Sequence, residues 1–541
     1  MGRAAVPDQA GDMATSHLTA VALAAVLTGL DASLPPPDDR SPSRSGAPAL
    51  EWTGCARTGG PADQECADLT VPLDHTDPGG PAVTVGVSRV PGGRPAAERR
   101  GTLLVIAGGP GGSGIKRLAE KGEALRQRTG GRYDLVAMDP RGVGRSTRAS
   151  CGLGPQDRML TALRPWPDGA GRIGESTARA RRTAEACGRN GGALLRSLST
   201  ADQVRDIERF RQALGAEKLS AWGISYGAYV GAVYAQKYPH RTDRWVLDSV
   251  GDPDPALVSR AWMANTSQAV EERFPDFARW AADPARENEP GHGDGPGRGD
   301  GPGHGRPGGG LRLAERPEDV RPLFLSLAAR LDRAPRPSAT PGVPLTGNTL
   351  RQALHLALYS EAGFAGLARL LQEVQDPRAR PVLPAELTAP VPDEDVAVMV
   401  AVVCNDVRWP GRIPEYERAV AADRARYPLT AGMPANLLPC AFWKDAPAEE
   451  PTRITDDGPS NLLLVQSLRD PATPHFGAVR MREALGRRAR MVSVDRGGHG
   501  VYLGVGDACS DAAVTRFLTT GERPETDIRC PAPGPARGAD G

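Results

Sequence analysis

The sequence predicts an α/β fold: a mostly parallel, doubly wound sheet that is interrupted by a mainly helical insertion and then completed. Three observations carry that expectation. Short continuous apolar runs such as Thr102-Leu103-Leu104-Val105-Ile106 have the character of strands covered on both faces. Helix-like segments alternate with such runs up to residue 252, the order that builds a parallel sheet. Buried-strand patterns then return, after a long helical stretch, at Asn461-Leu462-Leu463-Leu464-Val465 and Arg490-Met491-Val492-Ser493-Val494.

In chain order, residues 18–30 (LTAVALAAVLTGL) come first. This apolar run is too short for a membrane span and suits the core of an export signal. The charges before it are mixed, with Arg3 offset by Asp8 and Asp12; Met13 offers an alternative start and Ala32 a cleavage position. The Pro/Ser-rich stretch 35–48 follows directly, which argues against a buried helix. Residues 51–90 read as an N-terminal β region, with the β-branched run Val83-Thr84-Val85-Gly86-Val87. The strand 102–106 runs into Ala107-Gly108-Gly109-Pro110-Gly111-Gly112-Ser113-Gly114, then a helix-like run, then a second strand, 133–138, ending in Asp139-Pro140-Arg141-Gly142. A helical pattern over 201–214 leads into the strand 218–222, the turn Gly223-Ile224-Ser225-Tyr226-Gly227 and a helix through Gln236. The run 244–248 is the next strand, and 512–518 a closing helix.

Residues 253–448 are largely helical in pattern, for example 350–371. Within them 291–310 (GHGDGPGRGDGPGHGRPGGG) is a low-complexity tract that cannot bury anything. His292 and His304 there are irregularly spaced among flexible glycines, the pattern of a solvated loop rather than a metal site. The expected organisation is a leader over 1–47, a core over 48–252 and 455–530, a helical cap over 253–454 and a flexible tail over 531–541.

Composition excludes some partners. The 541 residues carry 66 Lys+Arg against 65 Asp+Glu, a net charge of +1, so neither nucleic acid nor an anionic membrane is indicated. With Gly at 65, Pro at 51 and aromatics at 5%, part of the chain is expected to be loop. The eight cysteines, Cys55, Cys66, Cys151, Cys187, Cys404, Cys440, Cys509 and Cys530, include no Cys-x-x-Cys and leave no odd residue. Disulfides in an oxidising compartment fit that count better than eight free thiols.

The chemistry centres on Ser225. Gly-x-Ser-x-Gly between a strand and a helix is the sharp turn that exposes a nucleophilic serine above the sheet of an α/β-hydrolase. Gly223 and Gly227 are needed because a Cβ at either flank would collide with the neighbouring strand or helix. A serine hydroxyl also needs a histidine to take its proton and a carboxylate to hold that histidine. In this fold the chain order is Ser, acid, His. His499 lies in the loop Arg496-Gly497-Gly498-His499-Gly500 just after a strand, whereas His475 starts a helix. Asp470 lies just beyond the strand 462–465; Asp495 is the rival, but sits too near His499 on the same strand end to reach across. The oxyanion donors expected are the Tyr226 amide and an amide of the Gly108–Gly111 loop, Gly109 first. Gly109, Gly111 and Gly114 also spell Gly-x-Gly-x-x-Gly, with Asp139 after the next strand. A nucleotide-binding reading is disfavoured, because Pro110 fits that fingerprint poorly and it leaves Ser225, Asp470 and His499 unexplained.

The ordered set GGPGGSG, DPRGVGRS, GISYGAYVG, VVCND, RDPATP and GGHG resembles the secreted tripeptidyl aminopeptidases of streptomycetes, prolyl-iminopeptidase-like serine peptidases, over about residues 52–530. The resemblance implies an α/β-hydrolase fold with a helical cap, release of short N-terminal peptides, and Ser225, Asp470 and His499 as the triad. Ala107 departs from it, standing where prolyl iminopeptidases have a histidine, which puts proline specificity in question. The 291–310 tract is an insertion relative to the family. Eight cysteines allow 105 pairings. Short loops together with the resemblance favour Cys55–Cys66, Cys151–Cys187, Cys404–Cys440 and Cys509–Cys530. No metal or organic cofactor is implied.

The expected activity is that of an exported, monomeric serine exopeptidase acting on peptides with free N-termini, with an exported esterase or amidase as the alternative. An idle binding protein on the same fold is disfavoured by the complete triad. A buried substrate ammonium requires a carboxylate. The cap offers Asp406, held beside Cys404, and then Glu271 and Glu272 on the helix-like stretch 262–280.

Overall fold

Apolar runs whose two faces are both buried form the centre of the sheet. The computed structural model describes residues 50–55, 59–255, 258, 260–287 and 310–532. The leader 1–47 and the tract 291–310, its last residue apart, therefore lie outside the described residues. Strands β1 (Thr53–Gly54), β2 (Glu65–Pro72), β3 (Ala82–Val90), β4 (Gly101–Ile106), β5 (Tyr133–Met138), β6 (Leu219–Ile224) and β7 (Thr242–Asp248) come first. A short antiparallel ribbon, β8 (Arg336–Pro337) with β9 (Pro344–Leu345), precedes β10 (Leu462–Arg469), β11 (Ala489–Gly497) and β12 (Ile528–Cys530). The main sheet has ten strands in the order β1-β2-β3-β5-β4-β6-β7-β10-β11-β12. It is antiparallel only at the β1/β2, β2/β3 and β3/β5 pairs. β7 pairs directly with β10, so the sheet closes across the helical insertion.

The helices are α1 (Gly114–Arg128), α2 (Leu160–Leu163), α3 (Gly174–Asn190), α4 (Gly192–Arg196), α5 (Thr200–Ala213) and α6 (Tyr226–Lys237) before the insertion. Within it come α7 (Arg260–Ala282), α8 (Pro317–Arg333), α9 (Gly347–Leu358), α10 (Phe364–Gln375), α11 (Asp393–Asp406) and α12 (Ile413–Arg426). α13 (His475–Leu485) and α14 (Ala508–Thr520) complete the fold. Alternate residues of β4 divide between the two faces, as the strand period of two requires. Leu103 and Val105 join Leu118 and Leu125 of α1 and Val514 and Phe517 of α14. Leu104 and Ile106 join Val204 of α5, Tyr229 of α6 and Ala478 of α13.

Most of the insertion has its own apolar core, with Phe274 and Phe277 of α7, Phe324 of α8, Leu354 of α9 and Leu371 of α10. Helix α11 differs: Val396, Val400 and Cys404 pack into the cluster on the α6 side of the sheet. That docking lays α11 over the strand ends. The helical pattern expected across 350–371 is two helices, broken at 359–363. Ser360 turns its hydroxyl back to accept the Ala362 amide and starts a separate short turn, a local hydrogen bond that competes with the helix. All four cysteine pairs expected from the resemblance are bonded, and no described cysteine is free. No helix among the described residues is long and apolar enough to cross a membrane.

Candidate active site

Ser225 sits between β6 and α6 with φ 58° and ψ −126°, a left-handed backbone that a non-glycine residue adopts only under constraint. Two close approaches impose it. A Cβ on Gly223 would run into the Gly227 carbonyl, and one on Gly227 into the carbonyls of Ile106 and Ala107. The Ser225 amide donates to the Asp248 carbonyl at 2.8 Å, tying the turn to the end of β7.

The acid and the histidine arrive on neighbouring strand ends. Asp470 follows β10, is 1% exposed, and accepts the amides of Ala472 and Thr473, each at 2.9 Å. Its carboxylate meets His499 Nδ1 at 2.9 and 3.0 Å, which leaves Nε2 as the nitrogen free to act on a hydroxyl. Thr473 Oγ1 donates to Asp470 Oδ2 at 3.1 Å and lies 3.4 Å from His499 Nδ1. Burial pulls the His499 pKa down, but the charge and hydrogen bond of Asp470, helped by Asp248, more than offset it and leave it raised. The rival acid, Asp495, is occupied elsewhere, bound by Arg469 at 2.7 Å and Arg529 at 2.6 Å. His475 begins α13 and bonds Ser493 at 3.0 Å, away from this constellation.

Beside the serine, the Gly108–Gly112 loop closes on itself through the Gly112 amide and the Gly108 carbonyl at 3.1 Å. A Cβ on Gly108 would sit 3.0 Å from the Ser225 Cβ, so only glycine lets the loop come this close. Gly109, with φ 121°, lines the same cavity as Ser225 and Tyr226. Tyr226 is the first residue of α6, where the helix has no acceptor of its own for the amide.

Asp406 and the two glutamates do not reach this cavity. Asp406 is buried and accepts both the amide (2.8 Å) and the hydroxyl (2.6 Å) of Thr200; it borders a separate cavity with Glu449. Glu271 pairs with Arg321 at 2.9 Å, and Glu272, exposed, accepts from Gln268 at 2.7 Å. The disulfide beside Asp406 does hold α11, but it turns Cys404 and Cys440 toward the Ser225 cavity and Asp406 away from it.

That cavity, of about 210 Å³, is lined chiefly by apolar groups from α2, α3, α7 and α11. Sequence reasoning missed several residues in or around it. The Tyr359 carbonyl accepts the His499 amide at 2.9 Å, and its ring meets the His499 ring edge-on at 5.3 Å. Asp248 takes the amides of Val501 and Tyr502 just after His499. Asp157, Arg164, Arg179 and His355 are the cavity's acidic, guanidinium and imidazole side chains.

A strained serine between strand and helix, with an Asp–His pair just past the ends of β10 and β11, defines the class: a serine hydrolase of the α/β-hydrolase fold. A family model described as alpha/beta hydrolase fold matches residues 101–292, and one described as TAP-like protein matches residues 427–530. A tripeptidyl aminopeptidase of Streptomyces lividans is 30% identical over 90% of this chain and 88% of its own. The serine protease Hip1 of Mycobacterium bovis is 27% identical, over 89% of this chain and 91% of its own. A carboxylesterase B of Mycobacterium tuberculosis is 27% identical, over 90% of each. The solved proline iminopeptidase of Mycobacterium smegmatis is 13% identical, covers 84% of this chain and 93% of its own, and superposes with a TM-score of 0.33. The chain belongs to the tripeptidyl aminopeptidase family of serine peptidases.

Proposed function

We propose that the protein is an exported exopeptidase that removes short peptides from free N-termini through an acyl-enzyme. Ser225 Oγ attacks the scissile carbonyl as His499 Nε2 takes its proton. The C–N bond then breaks, the proton passes to the leaving amine, and water repeats the sequence on the ester. Asp470 holds the His499 tautomer, and the Tyr226 and Gly109 amides take the charge that develops on the carbonyl oxygen. A length of three residues follows the name of the Streptomyces relatives, and export follows the four disulfides and the apolar leader.

One observation carries the amine-recognising reading. Among the described residues Asp157 is the only carboxylate lining the Ser225 cavity, and no described cation pairs with it. It belongs to the segment before α2, so the amine site comes from the chain between β5 and β6 and not from residues 253–454, as the sequence led us to expect. An ammonium brought into a mostly apolar cavity needs such a counter-charge.

The test is a panel of free and N-acetylated tripeptide and dipeptide arylamides with simple esters. Acetylation should lower kcat/KM by at least tenfold in wild type and have little effect in Asp157→Asn. Equal turnover of free and acetylated substrates overturns the reading and favours the esterase alternative, which the apolar cavity wall would also suit.

A further inference from the structure

A second charge in the same cavity has no counter-charge among the described residues. Arg164, half-buried just after α2, lines the cavity that contains Ser225. Its side chain makes one hydrogen bond, to the Met263 thioether at 3.7 Å, and no described carboxylate lies within ion-pairing distance. The other lining arginine, Arg179, is held by Glu175 at 3.3 Å. A thioether is a weak acceptor and carries no charge, so the planar five-donor fork of Arg164 is largely unspent.

The neighbouring wall shows a second vacancy. His355 of α9 is 6% exposed and its Nε2 has no hydrogen-bond partner among the described residues. Burial first, then the Arg164 charge, pushes its pKa down to about 3 against a hydrogen bond to the Pro471 backbone, so the ring is neutral near pH 7. A neutral imidazole keeps one nitrogen as an acceptor, and Nε2, with no partner among the described residues, is the one open to the cavity. Two ring contacts, His355 to Tyr359 at 5.5 Å and Tyr359 to His499 at 5.3 Å, connect this wall to the reacting centre.

We infer that Arg164 binds a carboxylate of the substrate, with His355 Nε2 accepting an N–H beside it, so that the enzyme selects peptides carrying an acidic group near the scissile bond. This rests on the exopeptidase reading and adds a second charge requirement at the opposite sign. The carboxylate has two sources, an acidic side chain or the free C-terminus of a short peptide. Arg164, Asp157 and Ser225 together then match a short zwitterionic peptide better than a long neutral chain.

The experiment compares matched substrates in wild type, Arg164→Gln and Arg164→Lys. One arm sets Glu against Gln at each position of tripeptide arylamides. A second sets tetrapeptides with a C-terminal acid against their amides. A third sets an anionic p-nitrophenyl hemiester against a neutral ester of equal length, and so scores the site without any amine. Wild type should prefer the acidic member of at least one pair by roughly tenfold or more in kcat/KM, the scale of a charge-assisted fork. Arg164→Gln should bring that preference within about twofold, and Arg164→Lys should keep part of it. The responding arm identifies the source. Wild type treating every pair alike, or Arg164→Gln retaining the preference, overturns the inference. The wild-type comparison decides even where a variant misfolds, and a failure of the acetylation test alone leaves the hemiester arm to stand or fall independently.

Discussion

Ser225 and Asp248 are joined through the backbone, the serine amide donating to the aspartate carbonyl at 2.8 Å. The same aspartate's carboxylate, fully buried, takes the amides of Val501 (2.8 Å) and Tyr502 (2.9 Å), the Trp222 indole (3.2 Å) and the Ser249 hydroxyl (3.0 Å). Ser249 in turn accepts the Gly500 amide at 2.9 Å. One residue pair at the end of β7 thus fixes both the strained turn of the nucleophile and the loop that presents His499. Since all four groups around it donate, the site is built for a carboxylate.

Asp248→Asn puts an N–H where one of those donors points. The His499 loop should shift, and a displacement on the order of 1 Å can cost about 10²-fold in rate. The pH profile separates this from general damage. The Asp248 charge helps hold the His499 pKa up, so losing it lowers that pKa. A base must be neutral to act, and the acid limb of kcat/KM should therefore move to lower pH. An unshifted limb with an undiminished rate would show that Asp248 positions nothing.

Asp470→Asn should cost about 10⁴-fold in kcat, because an amide cannot hold the Nδ1–H tautomer of His499. Asp495→Asn is the control: its carboxylate serves Arg469 and Arg529, and activity should stay within about threefold. The reverse pattern would reassign the acid.

Much of this site was legible because its parts are local. A serine between two glycines, an aspartate in the loop beyond a strand and a histidine in a glycine loop each announce themselves within a few residues. Asp157, Arg164, His355 and Tyr359 do not, since what brings them to Ser225 is the docking of α2 and α9 over the strand ends. Tyr359 was masked further by the break after α9, where a pattern read as one helix becomes two. That break frees the Tyr359 carbonyl for the His499 amide. Asp406 shows the converse. Its rigidity could be read from the adjacent cysteine, but the face of α11 it occupies depends on packing against α5.

Cys404→Ser with Cys440→Ser should destabilise the fold by about 4 kcal/mol on the chain-entropy account, given a separation of 36 residues. Both cysteines line the Ser225 cavity, so KM should rise more than kcat falls. Urea midpoints and steady-state kinetics on the double variant check this; an unchanged KM would mean that the bridge stabilises the cavity wall without shaping it.

Asp406 separates a structural carboxylate from a substrate-binding one. Burial, opposed by its hydrogen bonds from Thr200, pushes its pKa from the ordinary 3.8 up to about 6. Below pH 3.8 the folded and unfolded chains both hold the proton. Between 3.8 and 6 the folded protein holds it and the unfolded chain releases it, so this residue's stabilising contribution is lost as pH rises through that window. The loss amounts to roughly 3 kcal/mol at 1.36 kcal/mol per pH unit. An asparagine can keep the geometry: its oxygen accepts the Thr200 amide, and its NH₂ donates to Thr200 Oγ1, whose own proton turns to the Tyr226 hydroxyl 2.8 Å away. Asp406→Asn should therefore match or exceed wild-type stability at pH 7–8 and lack this downward slope between pH 4 and 6.5. The difference between the two urea-midpoint curves isolates the residue from other titrating groups. Activity on free tripeptide arylamides should stay within about threefold. A large loss confined to substrates with a free amine, with no change in the stability curve, would instead place Asp406 at the substrate.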